Sequence, residues 1–147
     1  MKDNIHIKEV SFGSDEYQSM LDLRDKVLRQ PLGLRFNPDI LATEDRHIHL
    51  ALYLDDKMAA TLILNEPDGD RIKMRQVAVL PEFQGKGLGK MIVEAGEEKA
   101  RALGMKDIYC HARDTAVPFY KSLDYEIEGD QFIEIGIPHY RMHRLLK

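Results

Sequence analysis

A glycine-rich segment at the start of a predicted helix carries the clearest chemical pattern in the chain. An apolar run over residues 77–80 ends at Pro81, and three glycines then follow at alternate positions, Gly85, Gly87 and Gly89. Glycines let the backbone turn tightly and approach a ligand closely, and the first N–H groups of a helix have no partner inside the helix. Together with the positive end of the helix dipole, these groups predict a binding site for a phosphate or pyrophosphate.

Two familiar phosphate-binding patterns do not fit this loop. A P-loop has two glycines separated by four residues and then Lys followed by Ser or Thr, whereas Gly89-Lys90 is followed here by Met91. The dinucleotide fingerprint needs glycine in its sixth place, and Lys90 occupies that place when the count starts at Gly85. The pattern that fits is Gln/Arg-x-x-Gly-x-Gly/Ala, which matches residues 84–89.

In this segment the chain resembles the GCN5-related N-acetyltransferase (GNAT) superfamily, in which the same stretch binds the pyrophosphate of acetyl-coenzyme A through backbone amides. Residues 116–125 (AVPFYKSLDY) resemble the second signature of that family. Residues 132–139 (FIEIGIPH) resemble the tail of a small, mostly uncharacterised bacterial subgroup. The resemblance covers almost the whole chain and implies a single acetyltransferase domain over residues 1–147. Two residues depart from the family pattern, Arg113 where Asn is frequent and Asp124 where Gly is commoner.

The resemblance implies that acetyl-CoA is the acyl donor and that backbone groups hold it. The end of the fourth strand is expected to diverge from the fifth, to hydrogen-bond the pantetheine arm and to polarise the thioester carbonyl. The expected donor site consists of Val77, Ala78, Val79, Gln84, Gly85, Lys86, Gly87, Leu88, Gly89, Lys90, Phe119 and Tyr120.

Acyl transfer from a thioester to an amine needs a neutral amine, a stabilised oxyanion and a proton for the departing thiolate. The resemblance implies that Tyr120 supplies that proton, since an ordinary phenol pKa of about 10 keeps the hydroxyl protonated at neutral pH. A packed tyrosine with a satisfied hydroxyl is the alternative.

The acceptor is expected to be a primary amine of a small molecule or of a peptide or protein. The alternative to an enzyme is a module of the same fold that binds acyl-CoA without turnover, as a sensor or an assembly subunit.

Three side chains are candidates for the base that deprotonates the amine. His111 ends the crossover strand and has a neutral form near pH 7. Glu134 and His139 flank an expected turn over residues 136–138 that could fold over the acceptor site. For each of them a surface or hydrogen-bonding role stays open, as does deprotonation through a chain of water molecules.

Two other chemistries are disfavoured. Cys110 could take the acetyl group first, yet only His111 beside it could depress its pKa, and a single strand cysteine is usually a small core residue. Direct transfer in a ternary complex is therefore expected. The His-x-His spacing over 47–49 and the His-x-x-x-His spacing over 139–143 lack ligands that would complete a zinc site, so no metal is expected.

Basic residues lie near the expected acceptor pocket. In the family this pocket is bordered by the loop after the first helix, which here contains Arg29, Arg35 and Phe36. Its arginines could favour an anionic acceptor, although solvated charge is the default explanation. One strand carries alternating basic side chains that predict a solvated sheet face: Arg71, Lys73 and Arg75.

Hydrophobic periodicity predicts the elements that must position these residues. Strands are predicted over 5–10, 47–54, 58–65, 71–80, 107–111, 125–133 and 139–146, and helices from Ser14 to before Pro31, over 38–42, over 88–103 and from about 115 to 123. Three hairpin-connected strands precede a strand–helix–strand crossover. The expected fold is therefore α/β (α+β), with a mixed, mostly antiparallel central sheet of about seven strands and about four flanking helices.

Composition sets the remaining limits. The 147 residues, 44% hydrophobic and 31% charged, fit one soluble domain. A net charge of −4 gives no reason to expect a nucleic acid partner. A single cysteine favours a reducing compartment, and the polar N-terminus and short apolar runs argue against a signal peptide or membrane span, so a cytoplasmic protein is expected. A homodimer through the strand over 139–146 is possible in principle, since that strand is expected at a sheet edge.

Overall fold

Seven strands form one sheet in the computed structural model, which describes residues 4–34 and 41–147. The strands are β1 (Ile5–Val10), β2 (Ile48–Leu54), β3 (Lys57–Leu64), β4 (Arg71–Val79), β5 (Asp107–Arg113), β6 (Glu126–Glu134) and β7 (Ile137–Leu145). They lie in the spatial order β1-β2-β3-β4-β5-β7-β6. Neighbouring strands are antiparallel except β4 and β5, which run parallel. The mixed, mostly antiparallel sheet predicted from the sequence is confirmed.

Three α-helices flank this sheet in the described part of the chain: α1 (Asp15–Arg24), α2 (Leu88–Ala102) and α3 (Val117–Ser122). Residues 41 and 42 are helical, whereas the rest of the helix predicted over residues 38–42 falls outside the described residues, as do Arg35 and Phe36. Within the described ranges, no helix combines the length and apolar composition that crossing a bilayer would require.

The first helix changes its winding rather than continuing to Pro31 as predicted. Ser14 caps α1 by accepting a hydrogen bond from the Tyr17 N–H, and α1 passes into a π-helical turn, Asp25–Arg29, before a short 3₁₀ turn over Gln30–Leu32. The chain has no helix breaker before Pro31, so it stays helical up to that residue. In the π turn each hydrogen bond spans one residue more than in an α-helix, so the winding is wider there. This turn contains Val27, which reaches the cleft described below.

Helix α2 packs closely against the centre of the sheet. Its apolar stripe buries Leu88, Ile92, Val93 and Ala100 against strand residues. Gly96 lies at the nearest approach, where an added Cβ would come within 3.0 Å of the Leu62 Cδ1. The contact fixes α2, and with it the glycine loop at its start, relative to β3 and β4.

Strands β4 and β5 diverge after a short parallel pairing. Their register runs only from Arg71↔Asp107 to Lys73↔Tyr109. Beyond it the pairing of β4 with β3 is shifted between Thr61 and Ile63, and Gln76 adopts a φ of 54°, which is rare for a side chain other than glycine. This bulge redirects β4, so its last residues no longer pair with β5 and a cleft opens between the two strands.

The C-terminal hairpin differs from the prediction at its turn and in its place in the sheet. The turn consists of Ile135 and Gly136, with φ values of 53° and 71°, so residues 137–138 belong to β7 and form no loop over the acceptor site. Both φ values are positive because a two-residue hairpin turn of the primed type requires this. Strand β7, which corresponds to the strand predicted over 139–146, lies between β5 and β6. It is therefore internal and not at the sheet edge as predicted, and β6 forms that edge instead.

The alternating basic residues of β4 do not form the solvated face predicted for them. Arg71 pairs with Asp107 at 2.6 Å and with Glu128 at 3.2 Å. Arg75 pairs with Glu44 at 2.8 Å. These partners come from distant parts of the sequence, so the pairing could not be inferred from the strand alone.

Glu44 is the centre of a buried ionic network. The carboxylate accepts two hydrogen bonds from Arg24, at 2.8 and 2.9 Å, and one from the Tyr17 hydroxyl at 2.7 Å. Glu44 and Arg24 are fully buried. Burial alone would raise the pKa of Glu44, but the hydrogen bonds from Arg24 and Tyr17 outweigh burial and lower that pKa from 4.5 to about 2. The network joins α1, the segment before β2, and β4 through Arg75.

We expect Glu44→Gln to lower the free energy of unfolding at pH 7 by about 3 kcal/mol or more, because it removes the negative charge that pairs with the buried Arg24 guanidinium. The stability that Glu44 contributes is present above pH 4.5 and is lost as the pH falls toward 2, since its folded pKa is the lower one. Urea unfolding at a series of pH values measures both effects. Glu66→Gln is the control, because the exposed Glu66 pairs with Arg46 only at 3.9 Å. Equal losses for the two variants would contradict the assignment.

Candidate active site

The cleft between β4 and β5 collects residues from four separate parts of the chain. Its volume is about 260 Å³. The cleft lies beyond the last β4–β5 pair and next to the loop that leads into α2. It is lined by Val27, Val77, Ala78, Val79, Gln84, Gly89, Ala116, Phe119 and Tyr120. The structure thus brings together seven residues of the predicted donor site and adds Val27 and Ala116, which were not singled out from the sequence.

The diverging end of β4 presents backbone groups to this cleft. The N–H of Leu80 bonds to the Ala59 carbonyl of β3 at 2.9 Å. Because backbone groups alternate sides along a strand, the N–H and C=O of Val79 point away from β3. The Val79 carbonyl accepts a hydrogen bond from the Gln84 amide at 3.1 Å. The Val79 N–H is therefore positioned to donate into the cleft, as expected from the sequence.

The glycine loop leaves the start of α2 open. Gly85 and Gly87 have φ values of 81° and 79° and have space around their Cα atoms. Gly87 is the N-cap of α2, and no side chain caps this end of the helix. The first N–H groups of α2 thus have no side-chain cap, and the positive end of the helix dipole lies behind them.

The other loop residues contribute in different ways. Leu88 is buried in the core, so it can offer only its backbone to a ligand. Lys86 is exposed, and Lys90 lies 3.9 Å from Glu94 on the same helix face. At Gly89 an added Cβ would come within 3.3 Å of the Phe119 ring. This glycine serves the close packing of α2 against α3, whereas Gly85 and Gly87 serve the turn.

Tyr120 lines the cleft, and the side chain of Cys110 lies beside it. Both are buried. Burial, and then the neighbouring Cys110, raises the pKa of Tyr120 well above 10, while burial raises the pKa of Cys110 to about 12. Both groups therefore stay protonated at neutral pH. The structure offers Tyr120 as a hydroxyl donor, and it disfavours the thiolate that a cysteine nucleophile would need.

The three predicted base candidates come together on the hairpin side of β5. His111 Nδ1 lies 3.2 Å from Glu134 Oε1, and His139 Nε2 lies 3.6 Å from Glu134 Oε2. Lys73 Nζ, which was not predicted as part of this group, lies 3.3 Å from His111 Nδ1. The β4–β5 register that brings Lys73 to this position has no signal in the local sequence.

His111 can serve only one of its two neighbours at a time. Its Nδ1 either donates to Glu134 or accepts from Lys73, whereas its Nε2 is buried without a hydrogen-bond partner among the described residues. Burial lowers the pKa of His111 below 6.5, Glu134 raises it and Lys73 lowers it. His111 is therefore mainly neutral at pH 7. With Nδ1–H donated to Glu134, the lone pair of the neutral ring is on Nε2.

The histidine pairs considered for metal binding are used otherwise. His49 Nε2 lies 2.8 Å from the Glu44 carbonyl oxygen. His143 Nδ1 lies 3.0 Å from Asp107, in a group with Glu128 whose ligand atoms are within 4.8 Å of one another. Arg71 already pairs with both carboxylates of that group. The Arg71 guanidinium thus already provides positive charge beside these two carboxylates.

Sequence comparison identifies the family. The profile described as "Acetyltransferase (GNAT) family" matches residues 15–125. The chain belongs to this GNAT family. The resemblance inferred from the glycine loop is confirmed, and membership places the chain among the acyltransferases. The family binds CoA thioesters and an acceptor substrate.

Related proteins agree with this assignment. The uncharacterized N-acetyltransferase YjcF of Bacillus subtilis is 25% identical over 134 residues, covering 90% of this chain and 95% of that protein. The uncharacterized protein YyaT of the same organism is 35% identical over 74 residues, so the alignment spans half of each chain.

Solved GNAT structures share the fold. A Pseudomonas aeruginosa acyl-CoA N-acyltransferase has a TM-score of 0.81 at 20% identity, over 97% of this chain and 99% of the other. A Bacillus subtilis acetyltransferase in complex with CoA has a TM-score of 0.76 at 20% identity, over 98% and 100%. At these identities the likeness shows the fold.

We expect the pKa of His111 to respond in opposite directions to its two neighbours. Glu134→Gln should lower the pKa further, because it removes the carboxylate that favours the imidazolium. Lys73→Gln should raise the pKa, because it removes the opposing cation. An NMR titration of the His111 ring proton measures both shifts. Shifts in the same direction, or a wild-type pKa above 6.5, would contradict this arrangement.

Proposed function

We propose that the protein is an acetyl-CoA-dependent N-acetyltransferase that transfers the acetyl group directly to a primary amine in a ternary complex. The observation that carries this proposal is the opening of β4 from β5 beside the uncapped start of α2. One end of the cleft can hold a pyrophosphate and the adjoining strand edge can hold an extended amide chain. Few ligands other than CoA thioesters combine these two parts.

The donor is held mainly by backbone groups in this proposal. The N–H groups from Gly85 to Lys90 bind the pyrophosphate at the start of α2. The edge of β4 from Val77 to Val79 then pairs with the amide groups of pantetheine as a neighbouring strand would. Phe119 packs along the apolar part of the arm. The thioester thereby comes to lie between Val79 and Tyr120.

The main-chain N–H at Val77 or Val79 polarises the thioester carbonyl and stabilises the oxyanion that forms when the amine attacks. The C–N bond forms and the C–S bond breaks. The hydroxyl of Tyr120 hydrogen-bonds the departing sulfur. Because its pKa lies above that of an ordinary thiol, Tyr120 stabilises the departing thiolate as a hydrogen-bond donor, and the released thiolate takes its proton from water.

The group of His111, Glu134 and His139 takes the proton of the acceptor amine, directly or through water. Neutral His111 accepts the proton, and the adjacent Glu134 carboxylate stabilises the imidazolium once it forms. The Nδ1 of His139 lies 2.8 Å from the Ile137 carbonyl, which fixes the ring beside Glu134. This is a proton path for the amine that does not involve Cys110.

The environment of Cys110 supports the proposal of direct transfer. A thiol with a pKa of about 12 is almost entirely protonated at neutral pH, so an acetyl-cysteine intermediate would form slowly. The free thiol of Cys110 also supports a reducing, cytoplasmic location as part of this proposal.

The test is acetyl-CoA turnover with a library of primary amines, measured as CoA thiol released above the hydrolysis background. We expect turnover for wild type, and we expect Tyr120→Phe to reduce kcat by about 100-fold while the Kd of CoA changes little, because the lost hydrogen bond acts on the leaving sulfur. Cys110→Ala is the matched control next to Tyr120 and should keep most of the activity. Binding of acetyl-CoA without transfer to any amine would favour the non-catalytic module instead.

A further inference from the structure

Basic side chains gather where β4 and β5 diverge, on the face of the sheet away from α2. Lys73 and Arg75 alternate along β4 with the buried core residues Ile72 and Met74, so they point to the opposite face. Arg113 ends β5 on the same face. All three residues lie on the two strands whose divergence opens the donor cleft.

Arg113 connects this face to the donor cleft. Its guanidinium Nη2 donates to the Leu28 carbonyl at 3.3 Å, and Leu28 follows Val27, which lines the cleft. In the described parts of the chain, no carboxylate lies within ion-pair distance of Arg113. A partly buried backbone contact thus holds one edge of the guanidinium, while its charge has no anionic partner among the described residues.

Among the described residues, one carboxylate serves two of the arginines beside this group. Glu44 is shared between Arg24 and Arg75, and the Nε of Arg75 is buried without a hydrogen-bond partner among the described residues. Burial and then the charges of Arg24, Arg75 and, to a smaller extent, Arg113 lower the pKa of Arg29 against the effect of Glu44, so these side chains lie close enough together to interact.

Lys73 extends the group toward the proposed base. Its Nζ contacts His111 at 3.3 Å, and among residues 4–34 and 41–147 no ion pair with a carboxylate involves it. Glu134 is the acidic group that raises the pKa of Lys73, against the larger effect of burial. The chain as a whole carries a net charge of −4, so this local excess of positive charge is a property of the site.

We propose that the acceptor amine also carries an anionic group, a carboxylate or a phosphate, and that Arg113 and Arg75 bind it beside the proposed base. This inference rests on the proposed function, because the subsite adjoins the place where the amine attacks. Guanidinium groups suit planar or tetrahedral anions through paired N–H donors. Polycationic amines should be excluded by the same charges.

The first test compares acceptors that differ only in the anion. The pairs are alanine with alaninamide and O-phosphoethanolamine with ethanolamine, with spermidine as the polycation. We expect a higher kcat/KM for at least one anionic member over its neutral partner, and the pair with the larger ratio identifies the anion. An amide lowers the amine pKa and so favours alaninamide chemically, which makes the comparison conservative. Transfer to neutral amines or spermidine at equal or higher rates would overturn the subsite, whereas no transfer to any amine would instead refute the proposed function.

The second test assigns the anion to Arg113. Arg113→Gln should raise KM for the preferred anionic acceptor by about 10- to 100-fold with little change in kcat, because the contact is made equally in ground and transition states. Arg113→Lys should recover part of the loss. Arg101→Gln removes the same charge from the far end of α2 and should change neither constant.

The Kd of CoA separates the two sources of an anion, since CoA carries phosphates of its own. An unchanged Kd in Arg113→Gln, with a raised acceptor KM, supports the subsite. A CoA affinity that falls with no separate effect on the acceptor would show that Arg113 binds the donor and would overturn the inference. Thermal unfolding of each variant checks that the fold is intact. If Arg113→Gln is unstable, the acceptor KM and the CoA Kd of Arg113→Lys are compared with those of wild type instead.

Discussion

The divergence of β4 from β5 determines where this chain can do chemistry. Parallel pairing stops at Lys73↔Tyr109, and the bulge at Gln76 directs the rest of β4 away. The strand–helix connection then places the glycine loop at the same end of β4, as in other parallel units, where ligands meet the carboxyl ends of the strands. The unpaired edge of β4 and the uncapped start of α2 therefore lie next to each other.

The two sides of this opening differ in charge. On the side of the proposed donor, burial keeps Tyr120 and Cys110 protonated and neutral. On the face where we propose that the acceptor binds, Glu44 gathers arginines from α1 and β4 into one buried network. The network that stabilises the fold thus also gives this face basic side chains. The hairpin of β6 and β7 adds Glu134 and His139, two of the groups proposed to take the proton of the amine.

Local features of the site could be predicted from the sequence, and features that depend on register could not. The segment from Gln84 to Gly89 was readable because its glycine pattern and the following helix are contiguous, and the sheet followed from strand periodicity. The sequence predicts a turn over residues 136–138, whereas the turn consists of Ile135 and Gly136. Isoleucine rarely adopts a positive φ, so its type gave no signal for this position. The contact of Lys73 with His111 and the pairing of Arg75 with Glu44 require knowing which strands are neighbours and in what register.

The central claim is that main-chain groups at residues 85–90 hold the diphosphate of CoA. Calorimetric titration of CoA into wild type, Gly87→Ala and Gly104→Ala tests it most directly. The two glycines have nearly the same φ, 79° and 81°, and both have open space around them, so alanine imposes the same backbone penalty at each. We predict that wild type and Gly104→Ala bind CoA equally and that Gly87→Ala binds at least about tenfold more weakly, since it distorts the start of α2. Equal affinities for the two variants, or no binding by folded wild type at millimolar CoA, would contradict the account.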